Sequence, residues 1–383
     1  MENRVVISTV GTSLLTNQIN RSESKESTWF SQLSGVTNLK LDEIEKNHPE
    51  VVKILQELKN RAENKLKESN TQQIRRISAE LNGIYGLYEE EIQRGKQDIH
   101  YLISTDTYSG KITAEIVENF LKTTGVVNTN IVKPSGLSTA NTQKFSEGVD
   151  ELIDFLSKQK ENWQGYKVCF NLVGGFKTLQ GYLNTIGMLY ADEIIYIFEG
   201  KRAELITIPR LPIAVDKTLI KPYTVQLALM DTGALDKSEV EKIPEALIGD
   251  VDGKKVLSTW GKLIWDESKK DLLSDELLDF PWLDYQDIFR TDYKKIKDWR
   301  EKVQLHETLA KVSYLLEESN GDTSPLKKDY NIKYDPYEGT DNIDHFRVTR
   351  ALRISCKKMD NGKLSLRYYG SHAHVEGKEF KKK

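Results

Sequence analysis

The chain has 383 residues, of which 38% are hydrophobic and 30% charged, and its formal net charge is −3. A chain of this length is expected to form two or three domains rather than one. No stretch has the ~18 consecutive apolar residues of a membrane span, and the first residues lead into a strand-like run rather than a signal peptide. Cys169 and Cys356 each lie in an apolar run, which argues against a disulfide framework or a cysteine zinc site. We therefore expect a cytoplasmic protein without membrane contact.

Charge is unevenly distributed along the chain. From Asp287 onward there are 21 Lys and Arg residues against 16 Asp and Glu, and from Ile343 to the end 11 against 4. The terminal lysines 381–383 account for three of these charges, but four arginines lie within strand-like patterns: Arg347, Arg350, Arg353 and Arg367. A basic end on an acidic protein predicts contact with RNA or DNA at that end.

Short apolar runs alternate with helix-periodic segments in the N-terminal half. The patterns predict strands at 4–10, 98–106, 130–133, 166–173 and 193–198. They predict helices at 112–122, at 145–158 and from the Gly174-Gly175 turn to residue 191. The charged, helix-periodic stretch 38–94 predicts a helical insertion after the first strand. Strands that alternate with helices predict βαβ units, a parallel sheet and right-handed crossovers, and hence a Rossmann-like α/β domain.

Three of the predicted strands end in turns that are rich in small hydrogen-bond donors. Glycines let the backbone approach a phosphate, N–H groups and hydroxyls donate to it, and a lysine can neutralise it. Neither glycine turn fits a dinucleotide fingerprint or a P-loop, and a Gly-Gly turn alone more often serves helix packing. Because these turns follow strands of one sheet, together they predict an anion or nucleotide site at its carboxyl edge. These turns are 11–13, 104–106 and 174–178.

The two glycine turns lie in the segments 7–15 and 170–179, which resemble the signature segments of the CRISPR-associated Rossmann-fold (CARF) domain. The resemblance covers residues 1–213. It implies a homodimer that binds a ring of four or six adenylates across its two-fold axis, with cyclic tetra-adenylate favoured here over the hexa-adenylate. The family pattern implies seven candidate ligand contacts: Gly11, Thr12, Ser13, Thr105, Gly174, Gly175 and Lys177. Some domains of this family also cleave their ligand slowly, which leaves a ring nuclease open.

A proline-marked boundary at 208–212 precedes a middle segment, 214–285. Its pattern predicts short helices, one of them beginning within 235–239, and a hairpin turn at 251–253. The size fits a winged helix–turn–helix. Because few basic residues cluster on any one helix, a coupling or dimerising module is favoured over duplex-DNA binding.

The last segment, 286–383, predicts two helices within 292–319 followed by strands at 345–350, 352–356 and 364–369. Asn361-Gly362 between alternating runs is a strong hairpin signal. Two helices, an antiparallel meander and the ending Gly-Ser-His-Ala-His resemble the RelE/ParE toxin superfamily over residues 287–377, which gives this segment an expected α+β fold.

The RelE-like resemblance implies metal-independent cleavage of RNA. His372 could act as acid or base, and Arg353 and Arg347 could bind the scissile phosphate, with help from Lys327 and Lys328. Tyr369 or Tyr337 could stack a base, although Tyr369 fits a core position better. His345 and His374 could be surface residues or metal ligands, but no carboxylate–histidine spacing supports a metal.

The combined architecture resembles the CRISPR-associated mRNA interferases, ancillary effectors of type III systems. This implies a homodimer without a cofactor, activated by cyclic oligoadenylate, that cleaves mRNA on the ribosome and arrests translation in antiviral defence. Three alternatives stay open: a ligand-responsive transcriptional regulator, a ring nuclease that degrades the messenger, and a ParE-like gyrase poison.

Overall fold

The computed structural model describes residues 2–138, 141–198 and 204–380, so the lysines 381–383 of the basic C-terminal end lie outside the described residues. The chain divides into two compact units, Met1–Ala214 and Val215–Lys383. Within the described ranges, no helix is both long and apolar enough to span a membrane.

The N-terminal unit is built on a six-stranded sheet of order β3-β2-β1-β4-β5-β6. Pairing is parallel from β1 to β5, whereas β6 runs antiparallel at the edge. Its strands are β1 (Arg4–Thr9), β2 (Ile99–Ile103), β3 (Thr129–Val132), β4 (Lys167–Asn171), β5 (Glu193–Ile197) and β6 (Leu205–Pro209). The five predicted strands are present, and the unit is an α/β structure compatible with a Rossmann-like domain.

Helices connect and flank these strands: α1 (Ser13–Thr16), α2 (Trp29–Val36), α3 (Leu41–Asn47), α4 (Pro49–Glu68), α5 (Thr71–Ile77), α6 (Ala79–Leu87), α7 (Tyr108–Thr123), α8 (Thr142–Lys160) and α9 (Lys177–Tyr190). The predicted helical insertion corresponds to α3 to α6. α4 begins with proline at its first position and buries Val51, Ile54, Leu55 and Leu58, the face that its periodicity predicts. α6 of this insertion packs on β4 and β5, and it reaches the carboxyl end of β4, where Nδ2 of Asn171 donates to the backbone oxygen of Glu80.

The C-terminal unit contains β7 (Ile248–Val251), β8 (Lys254–Leu257), β9 (Leu283–Tyr285), β10 (Asp335–Pro336), β11 (Asp344–Arg347), β12 (Leu352–Lys358) and β13 (Leu364–Ser371). Its helices are α10 (Thr224–Thr232), α11 (Thr259–Ser274), α12 (Asp287–Lys294), α13 (Trp299–Glu318), α14 (Ser324–Lys328) and α15 (His372–Glu379). The main sheet has the order β10-β11-β12-β13-β9, antiparallel except for β9, which pairs parallel with β13. The two predicted helices and the meander are therefore present.

Residues on both sides of the expected boundary at 285/286 share one hydrophobic core. The cluster runs from Ile220 through Trp265 to Tyr369, and α10 and α11 both pack on α13. β9 lies before the boundary yet pairs with β13 beyond it. The hairpin predicted at 251–253 is confirmed, with Asp252 and Gly253 both at positive φ between β7 and β8. The helix expected within 235–239 is wrong, since that stretch forms only a single 3₁₀ turn, Lys237–Glu239.

Candidate functional site

Strand order reverses between β1 and β4, which places two of the predicted turns side by side. β1 pairs with β2 on one side and with β4 on the other, so the crossovers leave in opposite directions and open a crevice at this point. The turns after the two strands contact each other: a Cβ on Gly11 would lie 2.9 Å from the backbone nitrogen of Gly175. Gly175 has φ +88°, and a Cβ there would lie 2.8 Å from Cβ of Thr9. Glycine is required at both positions for the turns to meet.

A cavity of about 460 Å³ opens at this crevice. Five of the seven candidate ligand residues line it: Gly11, Thr12, Ser13, Gly174 and Gly175. Phe30 and Leu33 of α2 supply an apolar wall. The volume falls within the range of about 300–1,000 Å³ that is usual for small-molecule sites, and an apolar wall with a few polar groups is their usual lining.

Glu80 is a buried carboxyl group between the two glycine turns that the sequence pattern did not single out. Its Oε1 accepts a hydrogen bond from the backbone N–H of Gly11 at 2.7 Å, and its Oε2 accepts one from the Ser78 hydroxyl at 2.7 Å. Burial raises the pKa of Glu80. The Gly11 N–H assigned to an anion is therefore already occupied, and any ligand in this structure would use other donors of the turns. Only the position of Glu80 at the start of α6, in the charged insertion, could have suggested this role.

The other two candidates of the N-terminal unit lie outside the cavity lining. The hydroxyl of Thr105 lies 2.9 Å from that of Thr107, the residue that caps α7. A Cβ on Gly110 would lie 2.0 Å from the Thr105 hydroxyl, so Thr105 packs against the first turn of α7. Lys177 is exposed as the first residue of α9. Lys177 stands at the rim of the glycine turn, where a charged side chain could reach a ligand larger than the cavity.

In the C-terminal unit, Arg347 and Arg353 form a cross-strand pair on β11 and β12. Neither guanidinium has a carboxylate partner within the part of the chain that the structure describes. Arg353 donates from Nη1 to the backbone oxygen of Thr349 at 2.8 Å, and Nε of Arg347 is buried without a hydrogen-bond partner. Burial, followed by the adjacent charge of Arg347, lowers the pKa of Arg353. An anion bound between the two side chains would offset the repulsion between their charges and would give Nε of Arg347 a hydrogen-bond partner.

His345 and Tyr337 lie beside the arginine pair. Their rings are stacked, with centroids 4.1 Å apart and planes 12° apart. Both have a buried polar atom without a partner, Nδ1 of His345 and the hydroxyl of Tyr337. Burial lowers the pKa of His345, and the positive charges of Arg353 and His372 act in the same direction. Burial raises the pKa of Tyr337 to about 12. These rings form a neutral wall next to two cations.

His372 begins α15 directly after β13. Its backbone N–H donates to Ala351 at 3.1 Å, which fixes it next to the turn between β11 and β12. Its Nδ1 lies 3.4 Å from Oε2 of Glu376, one helical turn along, so the carboxylate can orient the ring. Gly370 pairs opposite Arg353, and a Cβ there would lie 3.0 Å from Cδ2 of His374, so the His374 ring packs against Gly370. The structure thus brings His372, Arg353 and Arg347 to one end of the sheet.

The remaining predicted residues of this unit are exposed or packed in different surroundings. Lys327 and Lys328 are exposed on α14, which packs on α13. Tyr369 occupies the core position that its pattern favoured, which excludes base stacking: the ring is buried and its hydroxyl donates to Glu301. Tyr337 is also buried, against His345, and presents no free face. His374 lies 3.7 Å from the buried Asp292.

No group of three or more His, Cys, Asp or Glu side chains among the described residues is arranged to hold a metal ion.

The fold and the crevice define a protein with an N-terminal α/β unit compatible with a Rossmann-like domain, whose candidate site lies at the reversal of strand order. Residues 75–211 match the family model described as CRISPR-associated protein (Cas_APE2256). Over this segment, about a third of the chain, the protein is similar to CRISPR-associated proteins. The matched segment lies wholly within the N-terminal unit, from α5 to just beyond β6, and includes Glu80 and the Gly174-Gly175 turn.

Proposed function

We propose that the protein is a ligand-activated effector whose N-terminal unit binds cyclic oligoadenylate and whose C-terminal unit then cleaves mRNA. The observation that carries the proposal is the cross-strand pair Arg347 and Arg353, which has no carboxylate partner among the described residues. Guanidinium groups match the geometry of a phosphate with two parallel hydrogen bonds each. A phosphodiester is therefore the substrate group that this site fits best.

Cleavage of RNA without a metal requires a base, an acid and positive charge at the phosphorus, and the side chains at this end of the sheet contribute to these roles. The 2′-oxygen loses its proton and attacks phosphorus, the bond from phosphorus to the 5′-oxygen breaks, and the 5′-oxygen takes up a proton. Arg347 and Arg353 stabilise the negative charge that builds on the phosphorane. His372, oriented by Glu376, exchanges a proton with one of the two reacting oxygens, and solvent water exchanges the proton of the other. The products are a 2′,3′-cyclic phosphate and a 5′-hydroxyl, and the step consumes no oxidant or reductant.

The N-terminal cavity supports the proposal that cyclic oligoadenylate is the activator. The glycine turns, the hydroxyls of Thr12 and Ser13 and the exposed Lys177 offer donors and a charge to a phosphodiester, and the apolar wall suits a base. A ring of four adenylates exceeds one cavity of about 460 Å³, which fits binding shared by two copies of the chain. The ligand would act by favouring the dimer geometry that it binds more tightly.

The test is to incubate the full chain with translating ribosomes and cyclic tetra-adenylate or hexa-adenylate, and to map cuts on the mRNA. We expect cuts that depend on the ring and carry a 5′-hydroxyl. The double variant His372→Ala with Arg353→Ala should abolish them, whereas Lys363→Ala, in the exposed turn between β12 and β13, should not. If the double variant cuts as well as the wild type, the assignment of the nuclease centre is wrong. Loss of the ring without mRNA cuts would support a ring nuclease, and operator binding alone a transcriptional regulator.

A further inference from the structure

A second cavity, of about 470 Å³, opens in the C-terminal unit beside Arg347. Gln304 and Thr308 of α13 form one wall, the loop 330–332 forms another, and the end of β11 with the following turn as far as Arg350 forms the third. Arg347 lines this cavity and also belongs to the arginine pair. The cavity therefore adjoins the proposed phosphate site.

The charges of this cavity favour an anionic ligand. Two of its charged side chains have ion-pair partners: Nζ of Lys311 lies 2.6 Å from Asp329, and Glu307 lies 3.7 Å from Nζ of Lys269, which is itself 2.8 Å from Asp266. Arg347 and Arg350, in contrast, have no carboxylate partner among the residues that the structure describes, and Nε of Arg347 is buried without a hydrogen-bond partner. Two arginines thus remain to face a ligand.

Tyr330 adds an aromatic surface at the mouth of the cavity. Its side chain is 78% exposed, more than any other large hydrophobic side chain of the described residues. Nζ of Lys333 lies 5.1 Å from the ring centroid. An exposed ring next to basic side chains is typical of the stacking surfaces that bind single-stranded nucleic acid.

We infer that this cavity is a subsite for one nucleotide of single-stranded RNA, next to the phosphate held by Arg347 and Arg353. Tyr330 stacks on its base and Arg350 contacts its phosphate. The inference deepens the proposed function and rests on it for the identity of the strand. It also assigns base stacking to the exposed Tyr330, seven residues before Tyr337, whose ring is buried.

Binding can be measured without cleavage. The probe is a short, fluorescently labelled single-stranded RNA with 2′-O-methyl ribose at every position, titrated against the full chain with and without cyclic tetra-adenylate. Tyr330→Leu removes the ring but keeps an apolar side chain, and we expect binding to weaken about tenfold. Tyr330→Phe keeps the stacking face and should bind within about twofold of the wild type. Arg350→Ala should weaken binding and reduce its salt dependence, while Lys363→Ala, at the opposite end of β12, should leave both unchanged.

Each outcome bears on either the subsite or the proposed function. If Tyr330→Leu binds the probe like the wild type, the subsite is wrong, even where mRNA cleavage is seen. If Tyr330→Phe is as weak as Tyr330→Leu, the hydroxyl and not stacking makes the contact, which also overturns the inference. If Tyr330→Leu loses association with ribosomes but not with the probe, the surface binds protein rather than RNA. If the wild type does not cleave mRNA but Tyr330→Leu weakens probe binding as expected, the proposed function fails and the subsite stands.

Discussion

Three side chains next to the proposed cleavage site have a buried polar atom without a hydrogen-bond partner: Nδ1 of His345, the hydroxyl of Tyr337 and Nε of Arg347. An unsatisfied buried polar atom costs about 1–3 kcal/mol. One of them belongs to the arginine pair and two lie beside it, which makes a concentrated local cost at a site without a carboxylate. Such a cost is expected where binding of a ligand supplies the missing partners.

Glu376 is predicted to act through His372 rather than on the substrate. Its carboxylate lies 3.4 Å from Nδ1 of His372 and can hold the ring in one orientation. Glu376→Gln should therefore lower kcat for mRNA cleavage by about tenfold to a hundredfold and leave KM nearly unchanged. Steady-state kinetics with excess RNA checks this. A rise in KM with unchanged kcat would instead show that Glu376 helps bind RNA.

Glu80 is predicted to make the N-terminal unit less stable as pH rises. Burial raises its pKa above the unfolded value, so the folded state favours the protonated carboxyl. That contribution is fully present below the unfolded pKa of about 4.5 and is lost as pH rises through the raised pKa of the folded state. Glu80→Gln, which can keep the contacts with Gly11 and Ser78, should be more stable than the wild type at pH 8, with the gap closing as pH falls.

Hydrogen exchange of the β1 and β4 amides between pH 5 and pH 8, corrected for intrinsic exchange, gives this comparison for the N-terminal unit alone. A gap that stays constant over this range, or one that widens toward acid pH, would contradict the account of Glu80.

At the scale of secondary-structure elements, the two glycine turns position the cavity. A Cβ on Gly174 would lie 2.4 Å from Oε1 of Glu80, a fully buried side chain held by hydrogen bonds from Gly11 and Ser78. Gly174→Ala should destabilise the protein by about 1–3 kcal/mol, as overpacking of a buried site does. Gly181→Ala is the matched control, because a Cβ there meets nothing within 4 Å and alanine favours a helix interior.

Urea unfolding of the two alanine variants measures the difference. We expect a lower midpoint for Gly174→Ala and a midpoint equal to or above the wild type for Gly181→Ala. Equal midpoints for Gly174→Ala and the wild type would show that the turns are not packed as tightly as the structure indicates.

The sequence predicted most elements because their patterns were local. Alternating apolar runs marked β1 to β5, and Asn361-Gly362 marked the turn from β12 to β13. β6 was missed because its exposed side chains and Pro209 look like a domain boundary. Its antiparallel pairing with β5 forms the edge of the sheet. The stretch 235–239 had a helix-start signal, but tertiary packing leaves it a single 3₁₀ turn.

For the sites, local sequence patterns located the candidate residues, whereas contacts between distant segments could not be predicted. The glycine turns and the arginine pair follow from strand order and register. The contact of Glu80 with Gly11 joins residues that are 69 positions apart, and no local pattern reports it. Likewise, three tyrosines in one loop have the same local signature, and only the folded core separates the buried Tyr334 and Tyr337 from the exposed Tyr330.

For the whole molecule, the two units carry different chemistry. The N-terminal unit has a cavity at the reversal of strand order and the match to CRISPR-associated proteins. The C-terminal unit has unpaired arginines and a basic surplus from Ile343 onward. The proposed function assigns the input to one unit and the output to the other, and it requires that the ligand bind one global state better than the other.

The most direct test of this account is the rate of mRNA cleavage by the full chain on translating ribosomes, with and without saturating cyclic tetra-adenylate. We predict a rise of at least about tenfold with the ring, which requires a coupling free energy of only about 1.4 kcal/mol. The rise should vanish in the His372→Ala, Arg353→Ala double variant, which should still bind the ring. An equal rate with and without any adenylate ring, or cleavage that persists in the double variant, would contradict the account.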